Sequence, residues 1–138
     1  MLLDTLDIYF PLWLNLAMPG TLLTMFAVNL GINSAVVLLA WGSVAPGSNS
    51  ATALRYALFA TLLGLMADFT ALWGYEAVAG PVGRSGSVFA PAIIVPASIL
   101  IFGLNFALAR AFSLGRASSL RLAGLLAILT APWTILVL

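Results

Sequence analysis

The chain has 138 residues, of which 63% are hydrophobic and only 7% are charged, and its formal net charge is +1. Soluble globular domains carry about 25% charged residues, so this chain could not cover a water-facing surface. The composition therefore predicts an integral membrane protein. It also argues against nucleic-acid binding, because no dense group of basic residues is present to hold a phosphate backbone.

Several chemically versatile residue types are missing. The chain contains no His and no Cys, and its five cationic residues are all Arg. It therefore lacks the usual ligands of haem, iron–sulfur clusters and transition metals, and we expect no cofactor and no metal site. Without His, Cys or Lys, it also lacks the common pairings of nucleophile and base, which predicts that the protein is not an enzyme.

The N-terminal stretch at residues 8–18 is ambiguous. It contains Pro11 and is followed by Pro19, and proline opposes a continuous helix at both positions. Tyr9 and Trp13 are of the kind that favours the headgroup region of a membrane. We interpret the stretch as a short interfacial helix. The alternative is one long, kinked first helix.

Four apolar stretches follow, at about residues 21–42, 54–79, 89–112 and 119–138. Each reaches the length of about 20 residues that a helix needs to cross the hydrocarbon core. Short connections make consecutive helices antiparallel neighbours. The sequence thus predicts an all-α integral membrane bundle of four transmembrane helices with a short N-terminal interfacial helix, in which residues 1–138 form a single transmembrane domain.

The arginines predict the orientation in the membrane. Arg55 follows the first connection, Arg110, Arg116 and Arg121 flank the third, and Arg84 lies alone in the second. Because cytoplasmic connections carry an excess of Arg and Lys, the first and third connections are expected in the cytoplasm. The protein is then a multi-pass protein of the cell membrane with both termini on the outer face. The four cytoplasmic arginines are interpreted as topology determinants or lipid-headgroup contacts.

Aromatic residues agree with this orientation. Trp and Tyr are enriched at both interfaces between membrane and water. Trp41 and Tyr56 are expected to mark the inner interface, whereas Trp73 and Trp133 are expected to mark the outer one.

Polar side chains inside the predicted spans point to a candidate site, because hydrocarbon offers them no hydrogen-bond partner. At ~1.5 Å per residue, Asp68 lies roughly 16 Å below the outer surface, and Asn29, Ser98 and Thr130 lie at roughly 12–14 Å. Asn105 lies deeper. We predict these five residues as ion or proton candidates, with Asp68 held by amide or hydroxyl donors.

Helical spacing groups several of these positions on inward faces. Asn29 and Asn33 are four residues apart and share a face of the first span. On the second span, one stripe contains small residues that would let another helix come close: Thr61, Gly64, Asp68 and Ala71.

Two interpretations of Asp68 stay open. An intramembrane carboxylate suggests a proton or cation site, whereas a hydrogen-bonded Asp could simply join helices. An interhelical hydrogen bond contributes about 0.6 kcal/mol, but moving a charge to the middle of the membrane costs about 2.5–3.5 kcal/mol. This imbalance favours an uncharged carboxyl or a functional role. No second acidic residue lies at the same depth, although a relay normally needs more than one.

A further set of residues spans the second and third stretches: Arg55-Tyr56, Asp68-Phe69, Asn105, Arg110 and Phe112. The set resembles part of the pattern of GtrA-like polyprenyl-phosphate sugar flippases, which are also small four-span proteins. In that family the Asn and Arg are adjacent and two spans follow them. Here five positions separate Asn105 from Arg110 and one span follows, so the resemblance implies no role for individual residues.

Three functional hypotheses follow. The leading one is a non-catalytic accessory or structural subunit of a larger membrane complex, such as a respiratory or other energy-converting assembly. Its partners would be other integral membrane subunits and membrane lipids. The alternative is a small oligomeric transporter or flippase with Asp68 as its proton or cation site. The third is a lipid-organising or assembly factor that acts through its cytoplasmic arginines.

Overall fold

The computed structural model describes residues 19–79 and 89–130, and these residues form four α-helices and no strand. Helix α1 covers Pro19–Val44, α2 covers Ser50–Ala79, α3 covers Phe89–Ala111 and α4 covers Arg116–Leu129. Three expected features lie outside the described residues: the interfacial helix at 8–18, the second connection with Arg84, and the end of the fourth stretch with Trp133.

Three of the helices are long and apolar enough to cross a membrane, through the stretches Phe26–Val44, Ser50–Ala71 and Ile94–Ala111. Large apolar side chains also point away from the bundle, and Leu39 is 87% exposed. Soluble monomers rarely expose large apolar patches, whereas hydrocarbon covers them readily. These features are consistent with a multi-pass membrane protein.

Helix α4 is shorter than the other three. Its 14 residues rise about 21 Å, which is less than the ~30 Å of a hydrocarbon core. The fourth span was predicted at 119–138, but the helix begins at Arg116 and ends at Leu129, with Thr130 as its C-cap. Residues 131–138 lie outside the described residues, and Pro132 among them is of a type that interrupts helices.

The helices form an antiparallel ring. Helix α1 contacts α2 and α4, and α3 contacts the same two helices. Residues 45–49 connect α1 to α2 (joint 1) and residues 112–115 connect α3 to α4 (joint 3). Both joints line one cavity, so they lie at the same end of the bundle. We call it the arginine end because it carries four exposed arginines: Arg55, Arg110, Arg116 and Arg121.

The larger core cluster lies in the half of the bundle next to the arginine end and includes Val37, Trp41, Tyr56 and Leu122. The ring of Tyr56 is its centre, with centroid distances of 5.7 Å to Trp41 and 5.3 Å to Phe112. A smaller cluster, which consists of Ala67, Ile101 and Ala127, lies further from that end.

Two aromatic residues expected to mark the inner interface lie toward the arginine end of the bundle. Trp41 and Tyr56 are only 5% and 0% exposed and belong to the core. Their place on the inward stripes of α1 and α2 turns both rings toward neighbouring helices, and their depth relative to the membrane stays a prediction.

Joint 3 is fixed by the backbone at the end of α3. The N–H of Leu114 donates to the carbonyl of Ala109 and the N–H of Ser113 donates to the carbonyl of Arg110, both at 3.0 Å, which is the Schellman pattern. Ser113 has a φ of 63°, a conformation usually taken by Gly. Nη1 of Arg110 donates to the carbonyl of Leu114 at 2.7 Å and holds the turn against the helix.

Joint 1 ends at the N-cap of α2. Oδ1 of Asn49 accepts hydrogen bonds from the backbone N–H and the hydroxyl of Thr52, both at 2.8 Å. Asn is among the preferred N-cap residues because its side chain satisfies an otherwise free N–H of the first turn. Both joints are therefore defined turns rather than loose loops.

The shared end of the two joints is open to a direct test. Because the chain contains no Cys, Ser48→Cys in joint 1 and Ala117→Cys after joint 3 give single labelling sites on exposed residues. Both should react with a membrane-impermeant maleimide from the same side of sealed vesicles. Ser85→Cys, in the second connection, should react from the other side. Labelling of the first two variants from opposite sides would contradict the antiparallel ring.

Candidate functional site

One buried hydrogen bond links α1 to α2. Nδ2 of Asn33 donates to Oγ1 of Thr61 at 2.9 Å, and the Thr61 hydroxyl donates in turn to the carbonyl of Ala57 at 2.8 Å. Asn33 and Thr61 are 4% and 1% exposed. Oδ1 of Asn33 is buried and has no partner in the described part of the chain. This contact pairs two side-chain atoms, Nδ2 of Asn33 and Oγ1 of Thr61, for which hydrocarbon offers no partner.

A second buried hydrogen bond links α2 to α3. The hydroxyl of Tyr56 donates to the main-chain carbonyl of Asn105 at 3.0 Å and lies 3.5 Å from its Oδ1. Nδ2 of Asn105 donates to the carbonyl of Ile101 at 2.9 Å on its own helix. Asn105, which was a candidate ion ligand, is therefore hydrogen-bonded both to Tyr56 on α2 and to a carbonyl of its own helix.

Tyr56 is the residue that the sequence analysis missed as a partner of Asn105. The predicted stripe on α2 began at Thr61, but helical spacing continues it backward through Ala57 to Ala53. All three of these residues and Tyr56 are buried. The periodicity of buried positions along the whole of α2 could therefore have identified Tyr56 as an inward-facing residue, which its residue type alone does not indicate.

Asp68 lies on the same stripe of α2 and is half-buried. Its Oδ1 is enclosed and accepts no hydrogen bond from any described residue. The expected donors Asn29, Ser98 and Thr130 therefore do not reach this oxygen. The preceding residue, Ala67, packs in an apolar cluster with Ile101 and Ala127.

The other residues of the predicted depth set lie on separate helices and are all half-buried: Asn29, Ser98 and Thr130. The hydroxyl of Thr130 donates to the carbonyl of Leu126 at 2.7 Å within α4. A serine or threonine in a membrane helix can satisfy its hydroxyl in this way without a second helix. Although these side chains were expected at a similar depth, none of them donates a hydrogen bond to Oδ1 of Asp68.

Charge is distributed unevenly along the bundle. The acidic residues among 19–79 and 89–130 are Asp68 and Glu76, both in the far half of α2. At ~1.5 Å per residue, Asp68 lies about 20 Å along α2 from Arg55, the arginine of the same helix. The four arginines of the arginine end thus have no acidic neighbour on the described chain to neutralise them.

A cavity of about 300 Å³ separates the two joints at the arginine end, and we call it the joint cavity. Joint 1 and the end of α1 contribute Trp41, Val44 and Ser48, and joint 3 contributes Phe112, Ser113 and Gly115. Nε1 of Trp41 is buried and has no acceptor within the described segments.

Comparison of the chain with protein-family models, with curated proteins and with solved structures finds no match. Within the described residues, no group of three His, Cys, Asp or Glu side chains could hold a metal ion. Function must therefore be inferred from the contacts and surfaces of the bundle itself.

The link between α1 and α2 can be measured with a matched pair of substitutions. Thr61→Val should lower the free energy of unfolding by about 0.5–1.5 kcal/mol, because it removes the acceptor of Asn33. Thr70→Val is the control, since Thr70 donates only to the carbonyl of Met66 and is exposed. Reversible unfolding in mixed micelles measures both variants. Equal effects would show that the hydrogen bond between Asn33 and Thr61 contributes nothing.

Proposed function

We propose that the chain is a non-catalytic subunit of a larger membrane complex and that it packs against helices of other integral membrane subunits. The observation that carries this proposal is a stripe of exposed small residues along one side of α1, with Leu38, 43% exposed, as a large side chain between its two ends: Ala27, Gly31, Ala35 and Gly42. A Cβ atom added at Gly31 or Gly42 would meet no atom within 4 Å. The described bundle therefore leaves this stripe uncovered.

The neighbouring strip of α1 has the opposite character. Val28, Ile32 and Leu39 are 56%, 44% and 87% exposed. Lipid chains adapt to large side chains such as these, whereas small residues create a groove in which another helix backbone can approach closely. The two strips thus suit two different neighbours, and we assign the small-residue stripe to a transmembrane helix of a partner subunit.

The proposal includes four crossings and a cytoplasmic arginine end. The apolar stretch that contains α4 continues past Leu129 in the sequence, up to residue 138, which is enough for a fourth crossing. The placement of four of the five arginines at one end supports a cytoplasmic location for that end under the positive-inside rule. Both termini would then lie on the outer face.

A substitution on the stripe separates partner binding from folding. Gly31→Leu should abolish co-purification of partner subunits in mild detergent, because a large side chain prevents close helix approach. The chain itself should fold normally, since the structure has free space at Gly31. Val28→Leu, on the lipid-suited strip, is the control and should retain the partners.

Two outcomes would contradict the subunit proposal. One is a wild-type chain that purifies from its native membrane as a discrete species without partners. The other is equal partner recovery from the Gly31→Leu and Val28→Leu variants. A wild-type homo-oligomer that Gly31→Leu dissociates would assign the stripe to a second copy of this chain instead.

The second candidate function is a small oligomeric transporter that uses Asp68 as its proton or cation site. The observation in its favour is the enclosed Oδ1 of Asp68, which has no hydrogen-bond donor among the residues that the structure describes. Leaving a buried acceptor unpaired costs free energy, and ionisable residues within membranes mark ion pathways by default. A bound proton or cation would satisfy this oxygen.

Asp68→Asn tests this function at constant side-chain size. If Asp68 carries the proton, proton flux into liposomes should fall by at least roughly tenfold, because the amide cannot accept and release a proton at neutral pH. A pH-sensitive dye inside the liposomes reports the flux. Glu76→Gln, which changes the other acid of α2, is the control, and empty liposomes give the background. Unchanged flux in the Asp68→Asn variant would remove Asp68 from the mechanism.

A further inference from the structure

Two arginines lie at a matching level on two helices of the bundle. Arg55 and Arg121 are each five positions after the first residue of their helices, α2 and α4. The joints directly before these helices line the same cavity, so both helices begin at a similar level of the arginine end. At ~1.5 Å per residue, each arginine Cα lies about 7.5 Å into its helix. The residues that follow them, Tyr56 and Leu122, belong to one core cluster.

The two arginines face away from the bundle on different sides. Helices α2 and α4 occupy opposite places in the ring, because each packs against α1 and α3. Arg55 and Arg121 are exposed, whereas the adjacent Tyr56 and Leu122 are 0% exposed and point inward. One small molecule could therefore not contact both arginines, and each of them offers a separate binding surface.

The exposed surface changes character at the level of these arginines. In the first turns of α2 and α4, the exposed residues are small, polar or charged: Ser50, Ala51, Arg116 and Ala117. Large exposed apolar side chains lie beside the two arginines and one turn further from the arginine end, and we call them the apolar belt: Leu54, Leu58, Phe59, Leu120 and Leu125. A cation at the edge of an apolar surface suits the boundary between headgroups and hydrocarbon.

Helix geometry directs both guanidinium groups toward the headgroups. Side chains of a helix tilt toward its N-terminus, and the N-termini of α2 and α4 lie at the arginine end. The stem of each arginine can therefore cover the apolar belt while its charge reaches the headgroup region. The acids among the described residues, Asp68 and Glu76, lie in the far half of α2, so a counterion for Arg55 and Arg121 has to come from another molecule.

We propose that Arg55 and Arg121 each bind the phosphate group of an anionic phospholipid from the leaflet at the arginine end. Guanidinium matches phosphate with charge-assisted hydrogen bonds, and the apolar belt contacts the acyl chains of the same lipid. An acidic protein segment would neutralise the charge but would leave the belt uncovered on both sides of the bundle. The two lipid surfaces are separate from the small-residue stripe of α1 and do not depend on the subunit function.

The experiment counts lipid on the purified full chain in mild detergent. The chain is incubated with equal amounts of phosphatidylglycerol and phosphatidylcholine, and native mass spectrometry counts each retained lipid. Wild-type protein should retain two phosphatidylglycerol molecules in preference to phosphatidylcholine. Arg55→Gln and Arg121→Gln should each retain one, and binding at the altered surface should fall roughly fivefold, the effect of one cation near an anionic membrane surface. The double variant should bind the two lipids equally.

Arg116→Gln is the matched control, because it removes the same charge from the same end but at the first residue of α4, outside the apolar belt. It should retain two phosphatidylglycerol molecules. Equal losses in Arg116→Gln and Arg121→Gln would show that net charge alone matters and would overturn the proposal, as would wild-type lipid retention by the double variant. A partner protein that the double variant loses, at unchanged lipid retention, would assign the two arginines to a protein surface instead.

Discussion

A polar group that enters hydrocarbon must find its hydrogen-bond partner on its own helix or on a neighbouring one, because the lipid supplies none. The bundle meets this requirement on both sides of α2. Thr61 accepts from Asn33 of α1, and Tyr56 donates to Asn105 of α3. Each interhelical bond of this kind contributes only about 0.6 kcal/mol on average. Their main effect is to fix the rotation and register of α2 between its two neighbours.

Small residues make these hydrogen bonds possible. Ala53, Ala57 and Ala60 lie on the buried side of α2 and are at most 2% exposed, so neighbouring helices can approach closely. The remaining space is filled by the rings of Trp41 and Phe112 around Tyr56. The same principle, small residues beside a few large ones, appears on the outer face of α1, where the described chain offers no neighbour to cover it.

The sequence predicted the first three helices well because length, apolar content and turn residues are local properties. The first stretch was predicted at 21–42, and α1 covers Pro19–Val44. The fourth stretch was predicted at 119–138, of which α4 covers the part up to Leu129, and residues 131–138 lie outside the described residues. The membrane crossing of this stretch remains a prediction.

The candidate site was less predictable, and the reason is geometric. Counting residues along a helix gives an expected depth, and on that basis Asp68, Ser98 and Thr130 were predicted as intramembrane positions. Which side chains meet depends on how each helix is rotated about its axis, and side-chain packing sets that rotation. Tyr56 shows this effect, because its position on the buried side of α2 turns its ring into the core, where its hydroxyl meets Asn105.

The described hydrogen bonds between α2 and its neighbours lie in the half of the bundle next to the arginine end, together with the aromatic rings around Tyr56. Asp68 lies in the other half of α2, where Oδ1 of its carboxyl accepts no hydrogen bond from the residues that the structure describes. Hydrocarbon cannot exchange a proton with a carboxyl, so any proton exchange at Asp68 would require water to reach the interior of the bundle.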